Sequence, residues 1–142
     1  MTEYSDTIVR VRYAETDQMG YVYYANYYIY FEVGRVEYMR QQGVDYKQME
    51  IQDDSFIVVA ESHCRYRRPA RYDDNLRIRT RVTEFKRRTI RFSYEVLREE
   101  DGELLATGDT THVVCDSKGK PKALPEKYRP FFKAASHNST TE

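Results

Sequence analysis

YAETDQMGYVYYANYYIYFEVGRVEYMRQQG, residues Tyr13–Gly43, is the stretch whose reading decides the fold of this chain. From about Tyr24 to Gln42 it has the length and the stops of a helix. It contains no proline, its one interior glycine is Gly34, and Gly43 stands where the residue after a last helical turn belongs. Tyr27, Tyr30, Phe31, Gly34, Tyr38 and Met39 recur at three- and four-residue spacing and make one apolar face. Tyr28, Ile29, Val33 and Val36 make most of the remaining circumference apolar too, leaving charge at Glu32, Arg35, Glu37 and Arg40. A helix wrapped in apolar groups is normally buried on several sides, so a sheet is expected to fold around it. Asn26 is a candidate cap for its first turn, unless Tyr24 and Ala25 are already helical.

The residues just upstream carry the candidate chemistry. The first N–H groups of a helix have no internal partners, and the backbone dipole adds partial positive charge there. A carbonyl oxygen aimed at them is polarised, and negative charge developing on it is stabilised. Asp17 precedes Tyr24 across a turn that Gly20 permits, so its carboxylate can approach the same carbon. That combination suggests acyl transfer, with Asp17 as nucleophile or as general base for water. The residues alone equally allow Asp17 to cap a turn, a common use of an Asp beside a glycine.

Length and composition bound the alternatives. At 142 residues the chain is expected to be a single domain, 1–142, with a polar tail over about 135–142 that should be disordered. Its 23 basic and 23 acidic residues cancel, which argues against a nucleic-acid partner. Fourteen tyrosines and no tryptophan suit half-buried surfaces where a ring packs and a hydroxyl finds a partner. No apolar run is long enough to span a membrane and MTEYSDT does not read as a signal peptide, so a cytoplasmic location is expected. Cys64 and Cys115 lack spaced partners and read as free thiols, and no metal set is evident among His63, His112 and His137.

Along the chain, Thr7–Tyr13 alternates as a first strand, ahead of the turn and the helix. Asp45 can cap a short helical segment through Met49. FIVVA at Phe56–Ala60 opens a long strand that reaches Arg68 before Pro69. Leu76 to Phe85 alternates cleanly, Lys86-Arg87-Arg88 forms a hairpin tip, and Ile90 to Val96 alternates again. Asp101-Gly102 marks the next tight turn, Glu103–Cys115 the last strand, and Pro125 to about Ala134 a short helix. Four consecutive strands suggest a twisted meander that the first strand joins, with the apolar helix in its concave face. The class is α+β: one long buried helix wrapped by a five-stranded antiparallel sheet.

The run Arg10-Val11-Arg12-Tyr13, then Glu15-Thr16-Asp17-x-x-Gly20-x-Val22-x-Tyr24-Ala25-Asn26-Tyr27, resembles the opening of the acyl-CoA thioesterases of the 4-hydroxybenzoyl-CoA thioesterase/YbgC type. Pro69-Ala70-Arg71-Tyr72-Asp73-Asp74 resembles a second recurrent segment of that family, and the resemblance covers roughly residues 7 to 120. It implies a hotdog fold and hydrolysis of an acyl-CoA thioester, with CoA as part of the substrate and no separate cofactor. It implies Asp17 as the catalytic carboxylate and the backbone N–H of Tyr24 as donor to the thioester oxygen. Part of the family has His at position 24, so a side-chain role there stays open. It also implies active sites at a homodimer interface, with dimers commonly pairing into tetramers.

Further positions follow from the same resemblance. Gly20, Val22 and Asn26 belong to the turn and helix start of the substrate site. Ile57, Val58 and Val59 match strand residues lining it, and Lys86, Arg87, Arg88 and Thr89 match a segment that meets the nucleotide of CoA. Residues Arg65–Arg91 carry eleven basic and three acidic side chains, and Arg clamps suit phosphates, which makes Arg65, Arg67 and Arg68 secondary candidates for the same role. Arg77, Arg79 and Arg81 read better as the solvated face of a strand. Glu61, on an otherwise apolar strand, is a second candidate catalytic carboxylate, and His63 beside it reads as an interface histidine. A non-catalytic acyl-CoA-binding protein and an acyl-acyl carrier protein thioesterase are the alternatives on the same fold.

Overall fold

The computed structural model describes residues 4–132, so the expected tail at 135–142 and the end of the last helix lie outside the described residues. Five strands form one antiparallel sheet: β1 (Tyr4–Arg10), β2 (Phe56–Tyr66), β3 (Asn75–Lys86), β4 (Thr89–Arg98) and β5 (Leu104–Cys115). Two helices, α1 (Asn26–Gln41) and α2 (Tyr46–Asp53), lie between β1 and β2. Asp45 caps α2 by accepting the Gln48 amide, as its sequence position suggests.

The strand order is β1-β3-β4-β5-β2, which corrects the expected four-strand meander. Only β3, β4 and β5 are consecutive neighbours. β2 crosses to the far edge and pairs with β5, from Phe56 opposite Cys115 to Tyr66 opposite Ala106. The first strand also differs, running from Tyr4 opposite Arg81 to Arg10 opposite Asn75. By Val11 the chain has left the sheet, and Tyr13–Glu15 forms a single 3-10 turn.

The 16 residues of α1 lie across the concave face, and the side chains it buries are those of its three-and-four spacing: Tyr27, Tyr30, Phe31, Gly34, Tyr38 and Met39. Gly34 is needed because an added Cβ would stand 2.5 Å from Thr80 Oγ1 and 2.8 Å from Ile78 Cγ2. Phe31 stacks on Tyr94 with ring centroids 4.3 Å apart, and Tyr38 meets Phe92 edge-on at 5.9 Å. Leu76, Ile78, Ile90, Val96, Leu105, Val114 and Phe132 complete the core. The rest of the helix is less enclosed than its composition implies. Ile29 is half exposed, and so are Val58 and Val59 on the neighbouring edge strand. On the opposite, convex face the arginines of β3 are ion-paired: Arg77 and Arg79 to Asp6, and Arg81 to Glu95 at 3.2 Å.

Candidate active site

The turn that carries Asp17 is built from the two sequence motifs together. Val22 N–H donates to Ala70 O at 2.8 Å and Tyr72 N–H to Gly20 O at 3.1 Å, so residues 70–72 form the platform under the loop. Arg71 N–H donates in turn to Asp74 Oδ2 at 2.9 Å, which holds the platform's own turn. This contact explains why an acid-and-glycine segment and a Pro-Ala-x-Tyr-Asp-Asp segment occur in one chain. They are the two halves of one loop assembly.

Within the loop, Asp17 Oδ1 accepts the Met19 amide at 2.9 Å and the Tyr21 amide at 3.2 Å. Gly20, at φ +79°, supplies the left-handed residue that closes the turn, and its N–H donates to Asp17 O. Asp17 is therefore a turn former, as the residues alone allow. Its other carboxylate oxygen accepts no hydrogen bond among the described residues, and the side chain is exposed.

A second loop element fixes the start of α1. Asn26 is not the cap; its Nδ2 donates to Glu15 O at 2.8 Å, and Tyr23 N–H donates to the same oxygen. Glu15 is the buried post of this assembly. Its carboxylate accepts the Tyr30 hydroxyl at 2.8 Å, the Arg12 amide at 3.0 Å and Arg12 Nε at 2.9 Å. Burial pushes the Glu15 carboxyl up, but the Arg12 amide, the Arg12 guanidinium and the Tyr30 hydroxyl together hold it below the usual glutamate range. Burial and the Glu15 carboxylate both push Tyr30 up, so its hydroxyl remains the donor. Sequence reading missed Glu15 in this role, because nothing local distinguishes it from a solvated acid.

The amides of Asn26, Tyr27 and Tyr28 bond back to the carbonyls of Tyr23, Tyr24 and Ala25 at 2.9, 3.3 and 3.2 Å. Among the described residues the amides of Tyr24 and Ala25 have no acceptor. A cleft of about 420 Å³ reaches Tyr24 and is lined also by Asp17 and Val22, by further tyrosines including Tyr27 and Tyr66, and by Arg67, Arg68 and Pro69. Tyr66 bridges its two walls, its hydroxyl donating to Tyr24 O at 3.2 Å. The cleft thus brings the Asp17 carboxylate and Tyr24, just ahead of α1, into one tyrosine-rich lining.

Other candidates fall elsewhere. A bulge between Val59 and Glu61 leaves Ala60 unpaired and shifts the register by one residue. Glu61 sits opposite Thr111, while Ser62, Cys64 and Tyr66 oppose Thr110, Gly108 and Ala106. Thr110 is buried and Gly108 packs on Phe31, so these three residues, with Ile57 and Val59, face the helix and Glu61 faces away. Val58 and Glu61 do not line the cleft; Val59 lines a separate, smaller cavity of about 250 Å³ with Tyr28, Ile29, Glu32 and Arg35. His63, on the outer face, pairs with Asp109 at 3.0 Å. The tip Lys86–Thr89 closes the β3–β4 hairpin at the opposite end of the sheet, since Thr89 pairs with Val113 and the cleft's Tyr66 with Ala106.

His112 is buried, its Nε2 at 2.8 Å from Thr110 Oγ1, and Thr110 Oγ1 lies 2.6 Å from the Tyr94 hydroxyl. Burial first, and then the nearby Arg35 charge, lower the His112 pKa to about 3, so the ring is neutral and acts as a core residue. Among the described residues no three His, Cys, Asp or Glu side chains converge as a metal-binding group would. No described helix is long and apolar enough to cross a membrane.

Residues 11–134 match the model of the thioesterase-like superfamily. A putative esterase of Aquifex aeolicus is 33% identical over 83% of this chain and 89% of its own length. An acyl-CoA thioester hydrolase, YbgC, of Escherichia coli is 33% identical over 88% of this chain and 92% of its own length. Among solved structures, a DHNA-CoA thioesterase from Staphylococcus aureus is 32% identical with a TM-score of 0.85, covering 97% of this chain and 91% of that one. The match takes in the acid-bearing loop, the helix and four of the five strands, so this chain belongs to the thioesterase-like superfamily, with its hotdog fold.

Proposed function

We propose that the protein hydrolyses acyl-CoA thioesters to the free acid and CoA. The observation that carries this reading is one cleft lined by both Asp17 and Tyr24, a helix-start residue whose amide has no acceptor among the described residues. The activities named for the Escherichia coli and Staphylococcus aureus relatives support it. A thioester is a good electrophile with a stable thiolate leaving group, so a carboxylate and a polarising helix start suffice. A carboxylate can attack the carbonyl carbon or take a proton from water without a second base.

In this reading the carbonyl oxygen accepts from the Tyr24 amide, which does not depend on the side chain at that position. Asp17 attacks the carbonyl carbon, or takes a proton from the water that does, using the oxygen that the turn leaves free. The carbonyl's second electron pair moves onto oxygen, and collapse expels the thiolate, giving the acid directly when water attacks or an Asp17 mixed anhydride that a water molecule then hydrolyses to the acid and the free carboxylate. The same chemistry serves an acyl group on a carrier protein, so the two carriers are compared in the assay.

The half-exposed apolar residues Ile29, Val58 and Val59 and the unpaired edge of β2 support a homodimer that covers them. In such a dimer the hairpin tip Lys86–Thr89 reaches a cleft as part of a second copy, because in its own chain it lies at the other end of the sheet.

Free-thiol release from a panel of acyl-CoA substrates tests the activity and separates a hydrolase from a protein that only binds. Asp17→Asn, which keeps the turn-forming oxygen and removes the charge, is expected to bind acyl-CoA and to lose most turnover. Activity within about threefold of the unmodified protein would remove Asp17 from the mechanism, a factor well below the 10²–10³ typical of a lost catalytic donor.

A further inference from the structure

The cleft has a cationic side that the hydrolytic step leaves unused. Arg67 and Arg68 line it together with Asp17, so its charged lining is two cations to one anion. Arg68 has a partner in Glu103, at 3.5 Å and largely exposed. Arg67 has none: among the described residues its guanidinium makes no ion pair or hydrogen bond.

The backbone beneath it is held firmly. The amides of Arg67 and Arg68 both donate to Leu105 O, at 2.8 and 3.0 Å. On one side Tyr66 is tied to Tyr24 O; on the other, Pro69 O accepts Arg98 Nη2 at 3.2 Å. Arg98 is itself fixed by Asp101 and Glu103 at 2.9 Å each. An unpaired guanidinium on a rigid support, next in the chain to the tyrosine that touches the helix start, is a fork presented to an anion.

We propose that Arg67 binds the phosphate of a phosphopantetheine thioester, the group that coenzyme A and an acyl carrier protein share. This rests on the thioesterase reading for its substrate. The acyl group of such a substrate carries no obligatory charge, whereas its thiol half always does, and the exposed Arg67 rim is where that half leaves the cleft. The other basic cluster cannot serve this phosphate within one chain. It lies seven strand positions away along β5, from Ala106 to Val113, which is roughly 23 Å at about 3.3 Å per residue. Arg67 therefore acts on the first phosphate, and the nucleotide is left to other groups.

The test uses one acyl group on pantetheine, phosphopantetheine, coenzyme A and a carrier protein, with the full chain and Arg67→Ala. Arg67→Ala is expected to lower kcat/KM on the phosphopantetheine thioester by about tenfold or more, the worth of one charge-assisted contact, and to leave the pantetheine thioester unchanged. Arg67→Lys should recover part of the loss. Once the phosphopantetheine thioester shows the deficit, a matching deficit on the coenzyme A or the carrier-protein thioester names the source. An equal loss on pantetheine and phosphopantetheine thioesters, or no loss on either, overturns it. Calorimetric titration with phosphopantetheine and pantetheine alone keeps the two readings apart. Arg67-dependent preference for the phosphate without hydrolysis supports the site and refutes the hydrolase; hydrolysis without that preference does the reverse.

Discussion

Replacing Glu15 by alanine tests whether this residue is the post on which the loop and helix start are assembled. Its carboxylate makes three hydrogen bonds of unequal worth. The Arg12 guanidinium is 76% exposed, so its ion pair with Glu15 contributes well under about 1 kcal/mol. The Arg12 amide, on an exposed residue, can turn to water. The Tyr30 hydroxyl cannot, because Tyr30 is 1% exposed. Losing a charged acceptor there, and leaving a buried hydroxyl without a partner, costs roughly 1.5–3 kcal/mol. The total expected for Glu15→Ala is therefore about 2–4 kcal/mol, read as a fall in urea midpoint at pH 7. In a double-mutant cycle, Tyr30→Phe should be far milder in the Glu15→Ala background than alone, with a coupling of roughly 1.5–3 kcal/mol.

The pH dependence follows from the depressed Glu15 carboxyl. A group whose folded pKa lies below its unfolded value of about 4.3 stabilises the protein above that value, and the contribution fades as pH falls through the folded pKa. The gap between the parent and Glu15→Ala should accordingly be full at pH 7 and shrink below about pH 4. Strict additivity of the two substitutions, or a gap unchanged at pH 3, would refute the role assigned to Glu15.

Gly108→Ala should lower stability by about 2 kcal/mol. The new Cβ would stand 2.5 Å from Phe31 Cε2 and 2.7 Å from His63 O, and neither a fully buried stacked ring nor a strand carbonyl can give way; an unchanged urea midpoint would contradict this. His112, neutral down to about pH 3 when folded, should make stability fall as pH drops from about 6.5 towards 3, because only the unfolded chain takes up the proton. The slope contributed is at most about 1.4 kcal/mol per pH unit, and it should vanish in His112→Phe, as seen in urea titrations at pH 4, 5 and 6.

Elements whose evidence is local were legible in the chain. The apolar spacing of Tyr27, Tyr30, Phe31, Gly34, Tyr38 and Met39 named the buried face of α1, and the alternation from Leu76 to Phe85 and from Ile90 to Val96 named the inner faces of β3 and β4. A side chain's periodic neighbours set those faces whatever the rest of the molecule does. The Asp17 turn was legible too, because an acid and a positive-φ glycine three residues apart close it through their own backbone.

What depends on distant partners was not legible. Local alternation cannot say that β2 pairs with β5 rather than β3, since a crossover leaves the periodicity of each strand untouched. Nor does it reveal the bulge at Ala60, which exchanges the faces of Glu61 and Ser62 and so brings Tyr66 towards the helix start. Glu15 is an ordinary charged residue in the sequence, and Arg67 is one of several basic residues there that suit a phosphate equally well. One is buried by Tyr30 and its own carbonyl's partners, and the other is left unpaired beside the cleft, only after segments far apart in the chain have packed. The sequence by itself thus determined the helix, the hairpins and the acid-bearing turn, because those are set by neighbours along the chain. Tertiary structure alone decided which face each β2 residue presents and which charges meet at the cleft, because pairing energy between remote segments chooses the register.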